Sequence, residues 1–279
     1  MALTNFIGAV WANSILMGLN RSLVWAQEGV VNRSYEGLIK NAGDTVNINN
    51  VGDITVFDYT KNTAMPDPQV LDATQIKLVI NQAKGFNFMV DDIDRIQADA
   101  TLLAKATTKA VNALKAATET YVASVAVAGT AAGNVIGTTG AKINVSAAGA
   151  AFDQLVALGV KLDKADVSED GRWVIADPDF VALLSKDPRW ATVGEAGVLR
   201  NGFSGSAAGF TVYKSNNAPA SQVVAGTGDA IAYAEQIPAE QVEAYRPEKY
   251  FADAVKGLHL YGAKVVNDKG LAVLNWGLS

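Results

Sequence analysis

The chain has 279 residues, with 23 Lys and Arg against 28 Asp and Glu for a formal charge of −5, and 49% of it is hydrophobic; that is enough apolar chain for one large or two small domains with a packed core. It has no Cys and a single histidine, His259, which excludes disulfide scaffolds, thiolate zinc and iron–sulfur sites, cysteine nucleophiles and multi-histidine metal centres. An isoelectric point near 5.0, with no block of Lys and Arg, argues against sequence-specific nucleic-acid reading, whose affinity rests on neutralised phosphates.

The N-terminal stretch MALTNFIGAVWANSILMGLNRSL has no basic leader, and Asn5, Asn13, Ser14 and Asn20 interrupt it short of the about 20 apolar residues of a membrane span. It reads as neither signal peptide nor span, and no contact with a membrane is expected. Residues 1–34 read instead as an arm, with an amphipathic helical piece around Phe6 to Leu19 and then a polar run through Asn32, Arg33 and Ser34. An apolar arm without a domain of its own needs a partner surface, so Phe6 and Trp11 are candidates for contact with another subunit. The Asn-x-Ser matches at Asn20, Asn32 and Asn144 read as chance in an Asn- and Ser-rich chain.

From Thr45 to Gln82 the apolar residues alternate: Val46 and Ile48, then Ile54 and Val56 after a Gly52–Asp53 turn, then Ile76, Leu78 and Ile80. This period of two predicts a long hairpin or ribbon. Its tip, Tyr59 to Gln69, holds Pro66 and Pro68 and is expected to be extended and poor in ladder hydrogen bonds. Lys61, Met65 and Asp67 on that tip are further candidates for inter-subunit contact.

Asp91 to Val127 runs roughly 37 residues without Gly or Pro, about 55 Å of helix if continuous. Ile93, Ile96, Ala100, Leu103, Thr107, Val111, Leu114, Thr118, Tyr121 and Val125 recur at helical steps and predict one narrow apolar stripe along a spine helix. Asp91, Asp92 and Asp94 crowd its start, where they read as a cap on the positive end of the helix dipole. Arg95, beside them, is the last candidate contact residue.

Ala128 to Ala151 is rich in Gly and small residues and reads as a connection between domains. Beyond it, the pattern predicts a helix over Phe152 to Leu162, a buried strand over Trp173 to Ala176, and a helix opened by Asp177–Pro178 and ended by Asp187–Pro188. A glycine-rich loop up to Phe210 precedes short strands at Thr211 to Tyr213, Gln222 to Ala225 and Ala230 to Ile237, and alternation returns from Val242 to Val266. The class expected is α+β, with helices and strands segregated.

Catalytic templates find little to match. His259 has no Gly-x-Ser-x-Gly elbow to serve and reads as structural or surface, and the segments from Gly137 to Lys142 and at Gly226 miss the phosphate-loop spacings. No catalytic residue and no cofactor is expected. The one metal candidate is a calcium-loop spacing of Asp166, Ser168 and Asp170 with Asp177 in the twelfth position. Against it stand the apolar Val174 at a ligand position, the strand pattern of Trp173 to Ala176 and the capping role of Asp177.

The order of parts carries a resemblance, most specifically in the run FDYTKNTAMPDPQVLDATQIKLVINQAKGFNFMVDDID from Phe57 to Asp94 and in AYAEQIPAEQVEAYRPEKYFADAVKGLHLYGAKVV from Ala232 to Val266. The chain resembles the major capsid proteins of tailed bacteriophages with the Hong Kong 97-type fold, and within them the phage P-twenty-two coat-like families. The resemblance implies an N-terminal arm over 1–34 and a peripheral domain over 35–147 that contains an extended loop at about 41–84 and the spine helix. It further implies an axial domain over 148–229 and a return to the peripheral domain over 230–279.

The implied function is self-assembly, through pentamers and hexamers, into the icosahedral head of a double-stranded DNA phage, which encloses DNA without reading its sequence. The chain would be located in the virion, after assembly in the cytoplasm of the bacterial host. Any scaffolding, portal or decoration protein would be a separate chain. Some relatives cross-link a loop lysine to a neighbouring asparagine; Lys61 lies in that sort of loop, but no motif marks its partner. Two other readings stay open, an encapsulin-type compartment shell and a hydrolase working through carboxylates such as Asp177 and Asp179.

Overall fold

In a computed structural model, which describes residues 23–35, 45–51, 56–68, 73–91, 102–191, 203–236 and 243–278, the period-two segment forms a hairpin. Strand β1 (Thr45–Val51) pairs antiparallel with β2 (Ala73–Val79), setting Val46 opposite Leu78 and Ile48 opposite Ile76. Alternation sends Val46, Ile48 and Leu78 to one face. Together with Ile80 they are buried against Ala232, Ala234 and Leu260. The crossing is close, because a Cβ on Gly262 would collide with the carbonyl oxygen of Val79. At the tip every residue from 56 to 68 is exposed, and none belongs to a strand.

Strand β3 (Gln82–Asp91) runs antiparallel to β12 (Ala252–Val265) through a ladder from Gln82 opposite Tyr261 to Asp91 opposite Ala252. The other edge of β12 takes β10 (Ile231–Gln236) and β11 (Glu243–Tyr245), both antiparallel. Asp91 therefore ends a strand, where the sequence pattern had it opening the spine helix. Phe86, Phe88 and Val90 suit a pleated surface, and a partner strand more than a hundred residues away in sequence decides the conformation. Asp92, Asp94 and Arg95 lie outside the described residues.

The spine is α1 (Leu102–Gly129). Its Ala-rich interior has no Gly or Pro before the last residue, and Val111, Leu114, Thr118, Val122 and Ala126 come at three- and four-residue steps onto its buried side. The helix closes where the Thr130 hydroxyl donates to the Ala126 carbonyl at 2.8 Å, which satisfies one of the free terminal carbonyls. That buried side shares one cluster with Tyr233, Tyr261 and Ala263 of the β12 sheet and with Trp173, Ile175 and Tyr213 of a second sheet. The spine is thus the shared core of both halves.

The second sheet has the order β4 (Val135–Ile136), β13 (Leu271–Gly277), β9 (Gln222–Gly226), β6 (Trp173–Ala176), β8 (Phe210–Lys214) and β7 (Phe203–Ala207), with β5 (Ile143–Asn144) also on β13. Strand β6 is parallel to β8, β13 is parallel to β4 and β5, and the remaining pairs are antiparallel. Period two divides its residues between two layers. Trp173, Ile175, Val224, Leu271 and Val273 face the spine cluster. Val174, Ala176, Val223, Ala225, Ala272 and Leu274 face Leu155, Leu158 and Leu162 of α2 (Ala150–Asp163) and Phe180 and Leu184 of α3 (Pro178–Ser185). Helix α3 ends at Ser185, just ahead of Asp187–Pro188 as expected, and a one-turn helix, α4 (Pro188–Ala191), follows.

The sheets also divide the chain differently from the expected boundary at residue 230. Strands β10, β11 and β12 join β3, but β13 hydrogen-bonds to β9 and lies inside the sheet of the 148–229 segment. The apolar run Leu271 to Leu274, buried on both faces, needs neighbours on both sides, and β9 and β4 supply them.

Candidate assembly surfaces and the buried polar clamps

The ribbon tip is the most exposed apolar surface among the described residues. Val56 is 91% exposed, Tyr59 69% and Met65 67%, beside the charged Asp58, Lys61 and Asp67. The Thr63 amide donates to the Thr60 carbonyl at 3.2 Å, and Asn62 takes a left-handed φ of 67°, which folds Lys61 and Asn62 into a small turn. Pro66 and Pro68, which have no amide hydrogen to donate, lie in this stretch outside any strand. Three candidate contact residues, Lys61, Met65 and Asp67, share this exposed loop; Phe6, Trp11 and Arg95 lie outside the described residues. A second apolar patch, Tyr250 and Phe251 with Met89, stands at the far end of the β3–β12 ladder.

Two buried carboxylates hold residues 24–33 to the body, and Leu23, Val24, Trp25, Ala26, Val30 and Val31 lie in its core, so this stretch of the expected arm packs against its own subunit. Glu119, on α1, is fully buried and accepts four hydrogen bonds. Its Oε1 takes the amides of Val24 and of Trp25, the latter at 3.2 Å, and its Oε2 takes the Ser215 hydroxyl at 3.1 Å and the Asn217 amide nitrogen at 2.8 Å. Trp25 packs edge-on against Trp173, with ring centroids 6.4 Å apart.

The second carboxylate, Glu235 on β10, pairs with the Arg33 guanidinium and accepts from the Tyr233 hydroxyl at 2.6 Å and from His259 Nε2 at 3.1 Å. Burial works to raise its pKa, but His259, Arg33 and Tyr233 together hold the carboxyl below the ordinary glutamate value. His259 is fully buried, with its Nε2 facing the Glu235 carboxylate. Its role is structural, and it lies in the interior of the sheet. Asn32 completes the attachment: its amide donates to the Ile231 carbonyl at 2.8 Å and its carbonyl accepts from the Tyr233 amide at 2.9 Å.

The calcium-loop residues do not converge. Arg172 fills the turn, donating to Asp163 at 2.7 Å and to the carbonyls of Val167 at 2.6 Å and Ser168 at 2.9 Å. The Arg172 carbonyl, which a calcium loop would use as a ligand, instead accepts from the Thr211 amide of β8 at 3.0 Å. Ser168 Oγ takes the Asp170 amide, and Asp177 caps α3 by accepting from the Phe180 amide at 3.1 Å. Among the described residues no three acidic or histidine side chains are placed to share a metal ion. Burial raises the Asp177 carboxyl above its ordinary value, opposed by that capping bond, and the geometry assigns it to the helix end. No described helix is long and apolar enough to cross a membrane.

Sequence reasoning missed Glu119. It stands one position past Thr118 of the expected stripe, and residues 24, 25, 215 and 217, distant in sequence, converge on it.

Comparisons with known proteins agree with this architecture. A family described as phage capsid protein matches residues 73–274. A solved chain of Mycobacterium phage Che8 is 30% identical with a TM-score of 0.69, covering 91% of this chain and 91% of that one. The capsid structure of the cyanophage P-SCSP1u is 13% identical with a TM-score of 0.68, over 93% and 90% of the two chains. The holo-SrpI encapsulin complex of Synechococcus elongatus shares the fold at 15% identity and a TM-score of 0.54, over 85% and 83%. No curated protein sequence matches the chain significantly.

Proposed function

The chain belongs to the phage capsid protein family, and from that premise we propose that it forms the icosahedral head of a tailed double-stranded DNA phage through pentamers and hexamers. Self-assembly into a shell follows from the family, and with it a place in the virion. The observation in the molecule that best supports the reading is the ribbon tip, whose Val56, Tyr59 and Met65 are left mostly exposed by their own subunit. Closed shells need contacts between unlike surfaces of many identical copies, and an exposed apolar ribbon is such a surface.

Within this reading the peripheral domain comprises the ribbon, α1, β3 and β10 to β12. The axial domain is the seven-stranded sheet with α2, α3 and α4, including the C-terminal β13. Lys61, Met65 and Asp67 contact a neighbouring copy, as do Phe6, Trp11 and Arg95. Assembly takes place in the cytoplasm of the host. A net charge of −5 gives the wall no basic footprint, so it encloses DNA without binding a sequence.

The encapsulin likeness supports a second reading, a compartment shell that holds protein cargo. Particle contents separate the two: particles purified from an infected host should carry nuclease-protected double-stranded DNA, whereas particles holding a second protein and no DNA would favour the compartment.

A further inference from the structure

We infer that the spine side of the β12 sheet is turned toward the enclosed DNA, and that Lys84, Lys109 and Lys115 on this side contact phosphates of the double helix; the inference rests on the phage-head reading above. The sheet of β3, β10, β11 and β12 carries different elements on its two faces. Ala232, Ala234 and Leu260 take the base of the ribbon, whereas Tyr233, Tyr261 and Ala263 take α1, as alternation along β10 and β12 requires. Ribbon and spine thus lie on opposite faces of one sheet.

The spine side gathers positive charge in a chain whose formal charge is −5. Between Leu102 and Thr118 the helix sequence holds Lys105, Lys109 and Lys115 and no acidic residue. Lys109 is exposed and Lys115 half-buried. Lys84 of β3, also exposed, stands opposite His259 in the ladder. Cross-strand neighbours share a face, and His259 shares its face with Tyr261, which packs on the spine. Phe86, next on that face of β3, packs against the same cluster. Among the described residues, none of Lys84, Lys109 and Lys115 forms an ion pair. The acids Glu28 and Asp229 border one hollow with Asn32. Asn32 is bonded to Ile231, the ladder partner of Val265, which abuts Gly129. These two acids therefore stand toward the C-terminal end of the spine, away from Lys109.

A lysine ammonium is a point charge on a flexible stem, which suits a polyanion whose phosphates pass in no fixed register. Three lysines are too few to read a sequence. They supply sequence-independent contact, driven by release of the counterions that DNA holds. Each copy contributes little, and the many copies of a shell add up.

The first test uses unassembled subunits and a DNA duplex of random sequence, with binding read by fluorescence anisotropy at rising salt. Three phosphate contacts should cost the wild-type chain about fortyfold in affinity between about 50 and 200 mM salt. K84Q/K109Q/K115Q should bind weakly and with little dependence on salt. Removing three exposed charges elsewhere, in K77Q/K142Q/K264Q, should leave the salt dependence as it is. Equal losses in the two triple variants would overturn the proposal, because net charge alone would then govern binding. Wild-type subunits that bind no duplex at about 50 mM salt would overturn it too.

The second test uses purified particles. Formaldehyde joins lysine amines to nearby DNA bases, and the peptides found linked to DNA should contain Lys84, Lys109 or Lys115. They should not contain Lys77 of the ribbon, nor Lys264, whose ladder partner Ala232 lies under the ribbon. Links confined to Lys77 and Lys264 would put the ribbon side inward and overturn the proposal. Particles that hold a second protein and no DNA would contradict the phage-head reading, and the subunit binding series would still decide whether this face takes phosphates.

Discussion

At the scale of single residues, the Arg33–Glu235–His259 group holds one of the buried carboxylates. The folded-state pKa of Glu235 lies below the ordinary value of 4.5. The stability this adds is present above that ordinary value and is lost as pH falls through the lower folded one. Removing one partner of a buried pair leaves the others uncompensated, so E235Q should cost about 3 kcal/mol at neutral pH. Urea midpoints of unassembled subunits should show this gap near pH 7 and lose it as pH falls through the folded pKa of Glu235; a gap that widens as pH falls would mean that the fold disfavours the ionised carboxylate. Asp177 has a smaller part. D177A should cost about 1 kcal/mol by freeing the Phe180 amide, and D177N, which still caps, should cost little; thermal melting of the two variants compares them directly.

At the scale of elements, the spine helix carries the core of both sheets. Proline at Leu114, a buried position, removes a helical hydrogen bond and clashes with the preceding turn, at a cost of about 3 kcal/mol or more. L114P should therefore give aggregated or unassembled subunits by gel filtration, and normal shells from it would refute the spine assignment.

The elements also show how much of the fold could be read in the sequence. The hairpin was legible in outline because its buried face repeats every second residue, and Val46, Ile48, Leu78 and Ile80 fall on it. Trp173 to Ala176 and the Asp177–Pro178 helix start were legible because four apolar residues and a cap are local signals. Strand β3 was not, since it runs straight toward a helical pattern and exists only by pairing with β12. The placement of β13 in the second sheet was hidden for the same reason. The buried clamps were least legible: Glu119 and Glu235 each look like surface charge until segments 94 and 202 residues away fold back on them.

At the scale of the whole molecule, the account requires surfaces that make sense only between copies. Deleting residues 61–69 should leave a subunit that melts as the wild type does but assembles poorly, because the tip makes its contacts on another chain. Loss of the fold itself would show that the tip supports its own subunit. The central claim, that this 29.2 kDa chain is a shell subunit, is tested most directly by the mass and outline of the purified protein, measured by light scattering and negative-stain electron microscopy. Closed particles, or rings of five and six subunits, are the predicted result. A monodisperse monomer or dimer at every concentration, with coexpressed scaffold as well as without it, would contradict it.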